Sequence, residues 1–200
     1  NPPLDGIREE IVTDTSLSIG QEFNLFDISP EHAKKLSIQN PVISNEDLDK
    51  IKFIEHSDFK AQTISTLYEV NSGLNGLENA LEDMIKSIEK AVDQGANIII
   101  LSDRGVSPSM APIPMLLATS HTHHAFKRLK KRSDFGIIIE SAEPREPHHF
   151  ALLFGYTQED LKTIITPMTI QGKEAIGSMG TDTPLAVLSE RPQLLYNYFK

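Results

Sequence analysis

Two short runs of apolar residues constrain the fold more than any other feature of this sequence. The runs are NIIILSD (97–103) and FGIIIES (135–141). A strand that is apolar at every position, and not only at alternate ones, is typical of a parallel sheet covered on both faces. The intervening stretch, residues 114–132, has the pattern of a helix with its basic residues in the last turn, where they complement the helix dipole. This order predicts parallel strands joined by right-handed crossovers.

The remaining pattern extends the same α/β scheme. Residues 59–70 are rich in β-branched and aromatic side chains and predict a strand. Residues 74–93 place apolar side chains at steps of three and four, which predicts a helix, and Gly95 lies where a left-handed cap belongs. We expect a single α/β domain with a mainly parallel sheet flanked by helices, either open or resembling half of a barrel. Residues 14–29 predict a loop. Further helices are predicted at 3–13, 29–36, 44–51, 147–156, 157–165 and 191–200.

Composition excludes several classes of function. The chain has 19 basic and 28 acidic residues, so its formal charge of −9 disfavours a nucleic-acid partner. It has no cysteine, which excludes disulfides, a cysteine nucleophile and cysteine-ligated iron–sulfur clusters within this chain. No stretch approaches the ~20 consecutive apolar residues of a membrane helix, and the first residues do not resemble a signal peptide. We therefore expect no membrane partner and a cytoplasmic location.

Polar residues are densest where the two apolar runs end. Because ligands collect outside the carboxyl ends of parallel strands, this region could be an active site. It could equally be a network in which charged residues pair with one another, for example Asp103 with Arg104 or Arg145. The candidate residues of this strand-end cluster are Asp103, Arg104, Glu143, Arg145 and His148.

Histidines raise the possibility of a metal site. On a helix His121 and His124 share a face, whereas His123 does not, and the spacing of zinc proteases with their glutamate is absent. One hypothesis is a metal-dependent hydrolase that uses His121, His124 and His148. The alternative is that these histidines are buried at contacts between helices.

Residues 172–184, GKEAIGSMGTDTP, form a glycine-rich stretch. The spacing matches neither the dinucleotide fingerprint nor the P-loop, and no strand is predicted before it. A glycine-enabled turn explains the pattern better than a phosphate cradle. Met179, between Ser178 and Gly180, lies outside any apolar pattern and is predicted to face a passage or a partner.

Long strings of this sequence resemble the central domain of the large subunit of glutamate synthase, and they cover nearly the whole chain. Their order differs from that of the family, in which residues 154–200 come first and residues 1–153 follow after a short segment. The chain therefore resembles a circular permutant of that one domain, joined near Phe154. An engineered permutation without activity, made to study folding, is a further alternative. The matching strings are ILSDRGV, APIPMLLATS, GIIIES, EPREPHHFALL, GYTQEDLKTIITPM, GKEAIGSMGTDTPLAVLSERPQLLYNYFK and NPPLDGIREEIV.

The resemblance implies a non-catalytic role. Glutamate synthases form glutamate from glutamine and 2-oxoglutarate, and pass ammonia through a tunnel from an amidotransferase domain to an FMN site beside an iron–sulfur cluster. The central domain connects those catalytic domains, so they are the implied partners, and FMN and the cluster belong to the parent enzyme. The resemblance implies tunnel-lining positions for Met179, Ser178, Asn1 and Pro2, and no catalytic residue. Surfaces meant for neighbouring domains could make the chain self-associate.

Overall fold

A computed structural model describes residues 16–24 and 26–155 together with one further strand, residues 163–167. The strands are β1 (Leu17–Ile19), β2 (Leu36–Ile38), β3 (Ala61–Ser65), β4 (Leu67–Glu69), β5 (Ile98–Ser102), β6 (Met110–Pro112), β7 (Gly136–Ser141) and β8 (Thr163–Pro167). The α-helices are α1 (Asn45–Lys52), α2 (Gly76–Asp93), α3 (Met115–Arg128) and α4 (Pro147–Gly155). Short 3-10 helices span Pro30–Ala33 and Arg132–Asp134.

The central sheet is parallel, as predicted. Its strand order is β3-β5-β7-β8, and Ile100 lies between Thr63 of β3 and Ile138 of β7. On the other side of β7, Ile138 pairs with Ile164 of β8. Within the described part of the chain the sheet is open and not closed into a barrel. Two small antiparallel sheets, β1-β2 and β4-β6, accompany it.

Both faces of the central sheet are covered, which explains the continuous apolar runs. On one face Ile99, Leu101, Ile137 and Ile139 pack in a cluster with apolar side chains of α2, α3 and α4. On the opposite face Ile98, Ile100 and Ile138 pack in a second cluster with side chains of β1 and α1. All seven isoleucine and leucine side chains are fully buried. Burial of each such side chain contributes about 1.5–3 kcal/mol, so these two strands form the centre of the core.

Several sequence predictions are confirmed. Ser44 caps α1: its Oγ accepts a hydrogen bond from the backbone N–H of Asp47 at 3.1 Å. Gly95 follows α2 with a φ of +90°, the left-handed conformation that glycine adopts without strain. The helix predicted over 114–132 is α3, although it ends at Arg128. The helix predicted over 29–36 is not confirmed: only Pro30–Ala33 form a 3-10 helix, the Ser29 side chain makes no capping hydrogen bond, and Leu36 belongs to strand β2.

Other predictions need correction. The predicted strand 59–70 is two strands, because the backbone N–H and the hydroxyl of Thr66 both donate to the Ser102 carbonyl, at 2.9 and 3.1 Å, where the chain leaves the central sheet. The loop predicted over 14–29 contains strand β1.

The helix predicted over 157–165 is wrong at its end, since residues 163–165 belong to β8. The β-branched run TIIT favours a strand, and pairing with β7 satisfies its backbone. The helices predicted at 3–13 and 191–200 lie outside the described residues.

Candidate functional site

The candidate site lies where β5 and β7 end side by side. Ser102 of β5 pairs in register with Glu140 of β7 in the parallel ladder. Asp103 follows Ser102, and Ser141 follows Glu140, in the sequence. All four are buried, with side chains that reach across between the two strands. The carboxyl edge of the sheet thus collects the polar groups predicted there, as is usual in parallel α/β folds.

Glu140 is the centre of one half of the cluster. Its Oε1 accepts hydrogen bonds from Lys52 Nζ at 2.9 Å and from the Arg104 guanidinium at 2.8 and 3.0 Å. Its Oε2 accepts from the Ser102 hydroxyl at 2.7 Å. The Glu140 side chain is only 1% exposed, whereas that of Arg104 is 55% exposed and that of Lys52 is 17% exposed. Two cations that reach solvent therefore converge on one buried carboxylate.

Opposing effects act on the Glu140 carboxyl. Burial by itself raises its pKa, but hydrogen bonds from Ser102, Lys52 and Arg104 together outweigh burial and hold the pKa below its ordinary value. Glu140 is therefore ionised at neutral pH, and it forms a charge-assisted network with both cations.

Asp103 is the centre of the other half. Its Oδ2 accepts hydrogen bonds from the Ser141 hydroxyl at 2.5 Å and from the Ala142 N–H at 3.3 Å. Its Oδ1 has no hydrogen-bond partner in the described part of the chain. Burial raises the pKa of Asp103, and the nearby Glu140 charge adds to that rise, while the hydrogen bonds and Arg104 oppose it. The pKa values of the adjacent Glu140 and Asp103 carboxyls are thus shifted in opposite directions.

Glu143 connects this cluster to α3. Its backbone N–H donates to the Ser141 hydroxyl at 3.1 Å, and its Oε2 accepts from the Met115 N–H at 2.8 Å. A carboxylate at this position complements the positive end of the helix dipole. Partial burial nevertheless raises the pKa of Glu143, and the charge of Asp103 contributes in the same direction. Glu143 also borders a small cavity of about 230 Å³ between α3 and α4, lined mostly by Leu116, Pro144, Leu152 and Leu153.

The structure brings some of the predicted strand-end residues into contact with one another and leaves others apart. Asp103 and Glu143 come together through Ser141, whereas the Arg104 guanidinium bonds Glu140 and not Asp103, which corrects the pairing suggested from sequence. Arg145 donates its backbone N–H to His149 Nδ1 at 3.1 Å. His148 is exposed at the start of α4.

The histidines do not form a metal site in the described residues. No group of three or more histidine, aspartate or glutamate side chains there is arranged to hold a metal ion. The hydrolase hypothesis, which requires His121, His124 and His148 as joint ligands, therefore has no ligand set. His123 is buried, as expected for a histidine at a packing contact, and its Nδ1 accepts from Arg132 Nε at 3.3 Å.

A strand precedes the glycine-rich stretch 172–184 in the sequence. Strand β8 ends at Pro167, five residues before Gly172, so the assumption that no strand precedes the stretch is wrong. The β8 residues Thr166 and Pro167 pair with Glu140 and Ser141, at the edge that carries the polar cluster. The stretch itself lies outside the described residues, as do Met179, Ser178, Asn1 and Pro2.

Sequence reasoning missed Lys52 as a member of this site. Lys52 is the last residue of α1 and lies 88 positions before Glu140 in the sequence. Its type and position indicate only a basic residue in the last turn of a helix, where cations are common. Only the packing of α1 on the sheet brings it to the carboxylate.

Comparison with known proteins decides the family. The family model described as "Glutamate synthase central domain" matches residues 1–156 and residues 152–200. The chain belongs to this family. The glutamate synthase [NADPH] large chain of Bacillus subtilis (strain 168) is 42% identical over 156 residues, which is 78% of this chain and 10% of that protein.

Two further glutamate synthases extend the comparison. The ferredoxin-dependent glutamate synthase 2 of Synechocystis sp. is 32% identical over 160 residues, which is 78% of this chain and 10% of that protein. The glutamate synthase [NADH] of Saccharomyces cerevisiae is 28% identical over 200 residues, which is 99% of this chain and 9% of that protein. The chain thus spans about a tenth of the length of these relatives. Among the residues that the structure describes, none of the helices has the length and apolar character to cross a membrane.

Proposed function

We propose that this chain is a connecting domain of a glutamate synthase that performs no catalysis itself and helps to form an ammonia passage. The observation that carries the proposal is the family match over both segments, 1–156 and 152–200, in a chain that corresponds to a tenth of its relatives. A segment of that size would act as one part of a larger enzyme. The parent reaction would convert L-glutamine, 2-oxoglutarate and a reductant into two molecules of L-glutamate.

The contacts at the strand ends support a structural role. Catalytic groups need an accessible reactive atom in a position to meet a substrate. Here the hydroxyls of Ser102 and Ser141 both donate to carboxylates, Glu140 bonds two cations, and Glu143 bonds the first turn of α3. These bonds hold β5, β7, α1 and α3 together at the edge of the sheet, which is what a rigid connecting domain requires.

The cofactors of the parent enzyme would be held elsewhere. We propose that FMN and the iron–sulfur cluster bind to other domains, since this sequence contains no cysteine to ligate such a cluster. The proposed partners are the amidotransferase and FMN-binding domains. A cytoplasmic location and the absence of nucleic-acid partners stay predictions.

Met179, Ser178, Asn1 and Pro2 are the proposed tunnel-lining positions. A thioether suits a passage for neutral ammonia because it is uncharged and a poor hydrogen-bond partner for water. The test replaces Met179 by Glu in the intact parent enzyme, with Met84→Leu in the core as the matched control. We expect Met179→Glu to lower glutamine-dependent glutamate formation while glutaminase turnover continues, so that ammonia escapes. Full coupling in Met179→Glu would refute the tunnel role.

The order of the two segments forms a separate part of the proposal. We infer that residues 154–200 correspond to the N-terminal part of the family domain and residues 1–153 to its C-terminal part. The family model matches the chain in two segments that overlap at residues 152–156, as a permuted domain would, and the pairing of β8 from the second segment with β7 from the first is what one shared domain requires. The two segments would then form one compact domain despite the changed order.

The lack of catalysis is tested directly on the 200-residue chain. We expect no glutaminase turnover and no saturable FMN binding, and detection of either would refute the proposal.

The order of the segments is tested by a reordered chain, residues 154–200 followed by a short linker and residues 1–153. We expect its far-UV circular dichroism and its cooperative unfolding to resemble those of the original chain, whereas an unfolded product would contradict the permutation. Sedimentation would detect self-association through interdomain surfaces.

A further inference from the structure

In the Glu140 half of the strand-end cluster, two positively charged side chains share one carboxylate. Lys52 and Arg104 each carry one positive charge, and the carboxylate that they share carries one negative charge. These three groups by themselves sum to a net charge of +1; the buried Asp103 carboxyl, whose pKa is raised by burial, is the neighbouring acidic group that would offset this charge when ionised. The surplus lies at the carboxyl edge of a parallel sheet, which is the usual place for a ligand in such folds.

The two cations also have unused hydrogen-bond donors. A guanidinium has five N–H donors and an ammonium has three. In the described part of the chain Arg104 directs Nε and one terminal nitrogen to Glu140 Oε1, and Lys52 directs Nζ to the same atom. Each cation therefore retains N–H groups that point elsewhere, and the Arg104 side chain is more than half exposed.

Local structure holds Arg104 in place. Its backbone N–H donates to the Ser102 hydroxyl at 3.2 Å, and the next residue, Gly105, has a φ of +103° that turns the chain sharply. The Ser102 hydroxyl in turn donates to Glu140. Because the guanidinium is held before any ligand arrives, less conformational entropy is lost on binding than for a free surface arginine.

We propose that Lys52 and Arg104 form a binding site for a small oxyanion, a phosphate or a carboxylate, at the carboxyl edge of the sheet. The planar guanidinium matches the geometry of both groups, and Lys52 supplies a second point charge. Glu140 serves as the buried anchor that holds the two cations side by side. The inference does not depend on the proposed connecting role, since a non-catalytic domain can bind an anion.

The test is an NMR titration of the ¹⁵N-labelled 200-residue chain with inorganic phosphate, and separately with acetate, at constant ionic strength maintained with chloride. The Arg104 Nε–H resonance, assigned with Arg104→Lys, reports binding directly. We expect a saturable shift with at least one of the two anions and a dissociation constant on the order of 1 mM. The identity of the anion that saturates distinguishes a phosphate ligand from a carboxylate ligand. A shift that stays linear with both anions would overturn the proposal.

Variants localise the site. Arg104→Met and Lys52→Met should each weaken binding at least about tenfold, since each removes one charge-assisted contact. In the Arg104 variants, which lack the Nε–H reporter, binding is followed through the backbone amide resonance of Gly105. Lys86→Met on α2 is the matched control: Lys86 is also paired with acidic residues, but its side chain is 69% exposed and lies on a different element. Unchanged affinity in Arg104→Met, or an equal loss in Lys86→Met, would overturn the assignment. If Arg104→Met does not fold, Arg104→Lys replaces it, and the wild-type resonance still decides whether the anion binds.

Discussion

Replacement of Glu140 by glutamine should destabilise the fold, because it removes the charge on which Lys52 and Arg104 converge. The carboxylate is 1% exposed and accepts hydrogen bonds from both cations and from Ser102. A hydrogen bond to a charged group contributes about 1.5–3 kcal/mol. Loss of one member of a buried ion pair costs about 3–5 kcal/mol when the remaining charge has no access to solvent.

The expected loss of stability in Glu140→Gln is smaller than the summed free-energy contributions of these contacts. The glutamine amide keeps the shape of the side chain and one acceptor oxygen, and the half-exposed Arg104 can turn to water. We therefore expect Glu140→Gln to lower the free energy of unfolding at pH 7 by about 2–4 kcal/mol. For a chain of this size that corresponds to a fall in Tm of about 5–15 °C.

The pH dependence gives a second check. The pKa of Glu140 is held below its ordinary value of 4.5, so ionised Glu140 stabilises the fold. That contribution is fully present above pH 4.5 and is lost as the pH falls through the lower pKa of the folded state. The stability gap between wild type and Glu140→Gln should be constant from neutral pH down to about pH 5 and should shrink in acid.

The assay is urea unfolding followed by circular dichroism across this pH range. Glu82→Gln on α2 is the control, since its side chain is 64% exposed and contacts Lys86 only at 4.0 Å. We expect this control to change stability by less than about 0.5 kcal/mol. A Glu140→Gln effect as small as that of the control, or a gap that widens as the pH falls, would refute the role assigned to Glu140.

Three further predictions use the same unfolding assay. Asp103→Asn should become more stable relative to wild type as the pH rises through the raised pKa of Asp103, because only the wild type must then ionise a buried carboxyl; a pH-independent difference would contradict this. Gly136→Ala should cost about 1–3 kcal/mol, because the added Cβ would overlap Ile19 Cγ1 and lie 2.7 Å from Ile19 Cδ1, and the same substitution should cost less when it is made in an Ile19→Ala background; an equal cost in both backgrounds would contradict the overlap. Ser44→Ala should cost about 1 kcal/mol through loss of the α1 cap, while Ser44→Asp should keep most of the stability; equal losses would exclude capping as the cause.

The central strands were predictable from sequence because their environment is nearly uniform. β5 and β7 are buried on both faces, so every position selects an apolar side chain and the signal is continuous. β8 was not predictable in the same way. Its run of β-branched residues has only four members and follows a sequence with the spacing of a helix cap. The segment forms a strand because it pairs with β7. Local preference is weak where a distant strand supplies the hydrogen bonds.

The candidate site shows the same limit in its side chains. The sequence places Asp103 and Arg104 at one strand end and Glu143 close to the next, and the parallel topology makes their proximity predictable. It does not show that Arg104 turns away from the adjacent Asp103 and bonds Glu140. Lys52 reaches the same carboxylate from α1, whose position depends on packing against the second face of the sheet. Partners that are determined by packing across 88 residues leave no local pattern.

The pKa values of the two carboxyls are shifted in opposite directions because their neighbours differ, although both are buried and lie at the ends of adjacent strands. The two serines bond across the strands, Ser102 to Glu140 and Ser141 to Asp103, so each carboxyl receives one hydroxyl. Both cations then bond Glu140, whereas among the described residues Asp103 receives only a backbone N–H in addition. Positive charge is thereby concentrated on one side of the edge, and Asp103, whose pKa is raised by burial, lies on the other. An anion would meet the Glu140 side with its paired cations, which is why the proposed oxyanion site is placed there and not beside Asp103.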